Sequence, residues 1–430
     1  MFERCRQVLT VSLLVFICVI VIALTVQCVN ADSGNWAKTY GGSASDKAYS
    51  VVQTTEGYAL IGTTNSFGSG LVNSWLIITD LNGNLMWNQT YNGIGQSIAV
   101  SLIQTADKGY AFAGYTYSLD EEGSGPYIWL AKTDFYGNLE WNQTYKDLGE
   151  AYAYSVIQTI DGGYALAGGY NVPSGGVEGW LCKIDSAGKL LWNRTYGESG
   201  NDQLNTVIQS SDGGYILGGS TASSSSGPYM LELIKTDSSG NVQWDHTYSE
   251  LGEQDMSNVV ETKDGGYAIF ATSQDSGENL SDFSLAKTDS AGQVLWNQKY
   301  NGLNVDTELF GIQTSDGGYA LTGVTNSSDP AFAKAWLVKT DSSGNIQWNQ
   351  TYGGSEQNAA LSISQTNDGG YVLGGWTNST GAGAEDFWLV KTDSIGFVPE
   401  LPNFFLVPIL FFTCSIFLVL VIKKGFLRKI

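Results

Sequence analysis

The chain has 430 residues and a formal net charge of −21, and six of its 21 basic residues (Arg4, Arg6, Lys423, Lys424, Arg428 and Lys429) lie in the terminal segments. So acidic a middle repels phosphate backbones, which sets nucleic-acid partners aside. Cys182 is the only cysteine between the two ends, which excludes a disulfide framework or a cysteine-based zinc site there and leaves core burial and sheet pairing to hold the fold.

Residues 1–31 have the three-part layout of a secretory signal peptide: a basic start, an apolar run from Val8 to Val26, and Val29 and Ala31 at the −3 and −1 positions of a cleavage site. Gln27, where a small residue is needed, argues against a lipid anchor on Cys28.

From residue 32 to 397 the chain repeats itself. The Tyr after each D-G-G-like turn recurs at Tyr58, Tyr110, Tyr164, Tyr215, Tyr267, Tyr319 and Tyr371, at spacings of 51 to 54 residues. A Trp in W-N-Q-T-Y-like segments keeps the same period at Trp36, Trp87, Trp141, Trp192, Trp244, Trp296 and Trp348. Each unit reads as four strands: a short β-rich strand ending in Gln, Y-A-L-x-G-G after the D-G-G turn, W-L-x-K-T-D after a variable segment, and x-x-W-N-Q-T-Y after a D-x-x-G turn. No stretch between the ends sustains a helical period.

Four antiparallel strands at this period predict an all-β fold, a seven-bladed β-propeller with each unit a blade. The array begins with an orphan fourth strand (Trp36 to Tyr40) and ends with three strands that lack one, so pairing of the two ends in a velcro closure removes the open sheet edges. Five further Trp (Trp75, Trp129, Trp180, Trp336 and Trp388) stand three residues before the Lys position of the third strand, and only Trp376 falls outside the two patterns. Aromatic residues repeating once per blade are expected to pack adjacent blades together.

The D-x-x-G-x-x-x-W segments, such as Asp237 to Trp244, resemble the tryptophan-docking motif of quinoprotein propellers, with one residue fewer between Asp and Trp. That resemblance concerns packing; the vicinal cysteine pair common among quinoprotein dehydrogenases is absent. The whole repeat, Q-T-x-D-G-G-Y … W-L-x-K-T-D-x-x-G-x-x-x-W, is similar to one found in surface proteins of archaea and some bacteria, which implies a propeller on the cell exterior. Residues 398–403 form a spacer, V-P-E-L-P-N, that resembles the Pro-Glu-Phe sorting tails of archaeal surface proteins, with Leu401 in place of Phe. Residues 404–422 carry no charge, and 19 residues at about 1.5 Å each suffice to cross a hydrocarbon core of roughly 30 Å. The basic tail at 423–430 is then cytoplasmic and the repeat region outside. The expected location is the cell membrane, single-pass, with an extracellular N-terminal domain.

Candidate chemistry is sparse. His246 is the only His, and it stands where other repeats have Gln. The recurrent Lys of K-T-D reads as architecture, its stem packed and its head against a carboxylate. Seven residues before the Gln position of each first strand stand Asp46, Ser97, Ala151, Asp202, Gln254, Asp306 and Asn358. Asp46, Asp202 and Asp306 are therefore expected to form a polar, cation-attracting rim at the channel mouth. No cofactor is expected; calcium is the one candidate such a rim suggests, and no D-x-D-x-D-G loop supports it. Sequons at Asn279, Asn326 and Asn378 lie in variable segments and are the favoured glycosylation candidates.

In an up-and-down blade the uniform D-G-G and D-x-x-G turns share one face and the variable segments (118–127, 171–178, 222–229 and 273–282) share the other. Variable loops on a uniform scaffold are where recognition is built. The sequence thus points to a non-enzymatic, membrane-anchored binding or adhesion module for a cell-surface polysaccharide or protein. The alternatives are a structural envelope protein and, less favoured, a carbohydrate-active or quinoprotein-like enzyme.

Overall fold

The computed structural model describes residues 35–68, 72–118, 125–173, 175–197, 200–222, 228–251, 254–274, 281–300, 306–326 and 332–398. The signal peptide at 1–31 and the apolar segment at 404–422 lie outside the described residues, as does nearly all of the spacer. Among the described residues there is no α-helix, only two short 3-10 turns at Lys146–Leu148 and Ser249–Leu251, and no helix is long and apolar enough to cross a membrane.

Residues 36–396 form one compact unit of antiparallel four-strand sets that follow each other along the chain. In the first set Asp46–Gln53, Gly57–Thr64, Asn73–Asp80 and Leu85–Tyr91 pair in that order. Later sets repeat the pattern, and a single parallel pair, Val177 with Asn201, joins two of them into one eight-stranded sheet. Second and third strands are buried over most of their length, and some throughout, as in Gly57–Thr64 and Asp386–Thr392. Both of their faces are covered by neighbouring sets, which is why they read as unbroken apolar runs rather than alternating ones. The last set, Asn358–Gln365, Tyr371–Thr377 and Asp386–Thr392, is completed by Trp36–Tyr40. Trp36 there pairs with Lys391 and Tyr40 with Phe387. Each first strand abuts the first strand of the next set, and Asn358–Gln365 abuts Asp46–Gln53, so the series closes on itself.

A bulge sits in every first strand, for example between Ala48 and Ser50 and between Ala153 and Ser155. A bulge re-aims the residues beside it. Here it presents a hydroxyl or amide to the adjacent set: Ser101 Oγ accepts from the Val156 amide (3.1 Å), Ser155 Oγ from Val207 (3.3 Å), and Ser362 Oγ from Val51 across the closure (3.2 Å). Asn258 exchanges two bonds with the Gly311 backbone.

At the outer edge the contact between sets is the same all the way round. The fourth-strand Trp covers the glycine of the next D-x-x-G turn. A Cβ built on Gly83, Gly137, Gly188, Gly240, Gly292, Gly344 or Gly396 would lie 2.5–3.2 Å from the ring of Trp36, Trp87, Trp141, Trp192, Trp244, Trp296 or Trp348 respectively. These glycines also hold φ between +69° and +83°, so conformation and close approach both demand glycine. The same Trp meets the Tyr after the next D-G-G turn, from Trp36–Tyr58 (5.8 Å, 66°) round to Trp348–Tyr371 (5.7 Å, 67°). The Tyr that ends each fourth strand then donates its hydroxyl to the carbonyl of the covered glycine, at 2.6–2.9 Å for Tyr40, Tyr91, Tyr145, Tyr196, Tyr248, Tyr300 and Tyr352.

The two demands on glycine separate experimentally. Gly162 has φ +82° with nothing within 4 Å of its missing Cβ, whereas Gly83 has φ +69° and Trp36 at 2.5 Å. Gly162→Ala is expected to cost about 1 kcal/mol of backbone strain. Gly83→Ala adds overpacking and is expected to cost about 2–4 kcal/mol, read as the difference in urea midpoints.

Candidate binding face

The face carrying the D-G-G turns is uniform and internally satisfied. The K-T-D lysines are buried and reach the turn carboxylates: Lys132–Asp107 2.8 Å, Lys183–Asp161 2.9 Å, Lys235–Asp212 2.7 Å, Lys287–Asp264 3.0 Å, Lys339–Asp316 2.8 Å and Lys391–Asp368 2.9 Å. In the first set Ile78 replaces the Lys and Glu56 stands at the turn, so both partners change together. The Gln that ends most first strands also has a fixed task; the fifth ends in Glu261 instead. The Gln Oε1 accepts from the turn amide of the preceding set, as in Gln158 from Ala106 (2.8 Å), Gln365 from Ser315 (2.7 Å) and Gln53 from Asn367 across the closure (3.2 Å). Sequence reading had no signal for this role, because the acceptor's partner lies about one repeat away.

Partial burial opposes ionisation of Asp107, Asp161 and Asp316, but hydrogen bonds from the paired Lys, a Thr hydroxyl and a Gly amide outweigh it and hold each carboxyl at about 2. For Asp264 the Thr262 hydroxyl is the largest influence, with the same result of about 2. A carboxyl whose folded value is depressed stabilises the fold above its unfolded value, near 4, and loses that contribution as pH falls through the folded one. Thermal stability is therefore expected to hold down to about pH 4 and to decline between about pH 4 and pH 2, as followed by circular dichroism melts.

The opposite face departs from its expected form. Asp46 and Asp202 are buried, at 0% and 2% exposure, so they do not make a solvent-facing rim. Asp46 Oδ2 accepts from the Gly42 amide and the Ser66 hydroxyl, both at 2.8 Å, and Asp202 accepts from the Thr221 hydroxyl. Asn358 and Ser97 act alike, taking the hydroxyls of Thr377 (2.5 Å) and Thr116 (2.9 Å). In these four sets a polar side chain at this position ties the link between sets to the second strand or the residues just after it; the third set has Ala151 there. Asp306 begins its strand opposite Thr325; its side chain lies outside the described residues. Of the sequons, Asn279 lies outside them too, Asn326 is half-buried, and Asn378 is exposed.

The carboxyls of Asp386 and Glu232 are buried without full satisfaction. Asp386, 1% exposed, has Oδ1 without a hydrogen-bond partner, and burial with Asp46 nearby pushes its carboxyl up. Glu232, 5% exposed, stands where other third strands carry Trp. In regular sets that Trp meets the fourth-strand Asn, as Trp75 Nε1 to Asn88 (3.0 Å) and Trp336 Nε1 to Asn349 (3.3 Å). In this set the Asn is Asp245. Burial first, then the Asp245 and Asp202 charges, push Glu232 up to about 8. The folded state thus binds a proton that the unfolded chain releases between about pH 4.5 and 8, so stability falls as pH rises through that window. Glu232→Gln is expected to remove the slope and to gain on the order of 2 kcal/mol at pH 9, measured by urea unfolding at pH 5 and pH 9.

At the inner edge of this same face, one layer is aromatic on one side and polar on the other. Tyr115, in the second strand of its set, meets Tyr152 at the start of the next first strand (4.9 Å, 77°), and Tyr117 lies 5.8 Å from Tyr115. Tyr154 stacks parallel to Tyr152 (6.0 Å, 4°). Trp376 occupies the place of Tyr115 in its own set, five residues past the D-G-G Tyr, and Lys47 the place of Tyr152. Lys47 Nζ lies 4.7 Å from the Trp376 ring. Two sets further on the same positions hold Ser220 and Asp255, hydrogen-bonded at 2.7 Å, with Gln203 and Asn205 beside them, also bonded at 2.7 Å. Trp376, Lys47, Tyr115, Tyr117, Tyr152, Tyr154, Gln203 and Asn205 are all part-exposed.

Among the described residues no three His, Cys, Asp or Glu side chains converge to hold a metal ion. His246 Nε2 donates to the Ala291 carbonyl (2.9 Å) and the ring packs on Trp244 (5.0 Å), in the same covering position over Gly292 as the Gln it replaces.

No protein-family profile and no curated protein matches the chain. Solved structures do match. A chain of the COPII outer-coat vertex on membranes is similar at 12% identity and TM-score 0.52, over 85% of this chain and 87% of that one. The Neurospora crassa Pan2 WD40 domain matches at 11% identity and TM-score 0.47, over 86% and 99%, and a Synechocystis apocarotenoid oxygenase variant at 11% and 0.46, over 73% and 74%. Together with the closed series of four-stranded sheets, the COPII likeness defines the class: residues 36–396 are a β-propeller.

Proposed function

We propose that the chain is a seven-bladed propeller held outside the cell by its apolar C-terminal segment, and that it works as a binding module through the face bearing the variable segments. The observation that supports this most is the asymmetry of the two faces. Turns on one face are committed to Lys–Asp pairs and Gln bonds between blades, repeated with little change. The other face carries segments that differ in length and sequence from blade to blade, and conserving a scaffold while varying its loops is how recognition surfaces arise. The COPII likeness lends the fold, not a partner.

The test uses the full chain at the surface of cells that express it. Replacing residues 172–176, the turn within this variable segment, with a Gly-Ser turn of the same length is expected to abolish adhesion to polysaccharide-coated or cell-coated surfaces while leaving the melting temperature unchanged. An equivalent change in a D-G-G turn, Asp161→Asn, is expected to lower the melting temperature and leave adhesion intact. A tag inserted at 378–385 should be labelled on intact cells and a C-terminal tag only after permeabilisation; the reverse pattern overturns the orientation.

A further inference from the structure

We propose that the half-aromatic, half-polar layer at the inner edge of the variable face is a binding site for a neutral hexose chain. The inference rests on the binding-module reading and names its ligand class. It begins from Trp376, the one Trp that belongs to neither periodic set. A part-exposed Trp with no repeated packing duty is not explained by the architecture, and it falls in register with Tyr115, another aromatic confined to one set. Tyr152 and Tyr154 add two parallel rings, 6.0 Å apart at 4°. A bulge between Ala153 and Ser155 lets Tyr152 and Tyr154 share that alignment. No other first strand of the chain carries two aromatics.

Facing chemistry differs across the layer. Trp376, Tyr115, Tyr152 and Tyr154 offer apolar ring faces with polar rims, which suit the C–H faces of a pyranose. Gln203 and Asp255, on the sets that follow, offer an amide and an exposed carboxylate, which suit its hydroxyls. The net charge of −21 disfavours uronate, sulfate or phosphate on the ligand. This combination suits an uncharged, hydroxyl-rich chain with apolar faces.

The experiment measures binding of the detergent-solubilised full chain to linear β-1,3-glucan and α-mannan hexasaccharides by isothermal titration calorimetry, with polygalacturonate as the anionic comparator. One or both neutral probes are expected to bind and polygalacturonate is not. Tyr152→Ala and Trp376→Ala are each expected to weaken binding ~10-fold or more, the loss of one stacked ring. Tyr152→Phe, which keeps the ring, should lose less than ~3-fold, and melting temperatures report that each variant is folded. Failure of both neutral probes overturns the proposal, as does wild-type-like binding by folded Tyr152→Ala and Trp376→Ala variants. Binding to polygalacturonate alone also overturns it. If adhesion still depends on 172–176 in any of these cases, the binding-module reading survives and only the saccharide site falls.

Discussion

Everything in this molecule depends on one contact: a fourth-strand Trp lying over the glycine of the next turn. That glycine is required twice, by its positive φ and by the ring that occupies the space of its Cβ. The neighbouring Tyr hydroxyl then bonds to the same residue's carbonyl, so packing and hydrogen bonding converge on one turn. Because the contact links each sheet to the next, it has no natural end. The series must return to its start, and the Trp36–Tyr40 strand does that by delivering Trp36 and Tyr40 to Gly83 while pairing with Asp386–Thr392.

Closure of this kind divides the residues into two populations. Those that repeat are consumed by the scaffold: Lys in ion pairs, Gln in bonds to the preceding turn, Ser in bonds from each bulge. Residues that break the period are where something other than the scaffold is being served. Glu232 and Asp245 replace a Trp–Asn pair and place a proton-binding carboxyl inside the protein. Tyr115, Tyr152 and Tyr154 assemble an aromatic cluster, and Trp376 stands at the Tyr115 position of its own set.

The strands, their order and the pairing of the two ends were legible in the sequence, because turn residues and the 52-residue rhythm mark them directly. So was the Lys–carboxylate pairing in kind, since a buried ammonium requires a partner. The role of Asp46 and Asp202 was not. Their spacing correctly places them at the mouths of first strands, but spacing is silent on whether a side chain points out to solvent or back to its own linker; burial at 0% and 2% decides for the linker. The aromatic layer was equally hidden, since Tyr115 and Trp376 share only a register position in distant second strands and Tyr152 lies on the first strand of another set.

What the sequence by itself determined is whatever recurs, because a residue type demanded by a local conformation or a local packing place must reappear in every copy of that place. Glycine at a positive φ, Trp over it and a strand of apolar residues covered on both faces are each set within one repeat and its neighbour. What only the tertiary structure decided is what happens once: which carboxyls face inward, which exceptions stand side by side, and that Lys47 and Trp376, separated by nearly the whole repeat region, meet at 4.7 Å. Those contacts follow from closure of the ring, which brings together residues that no period relates.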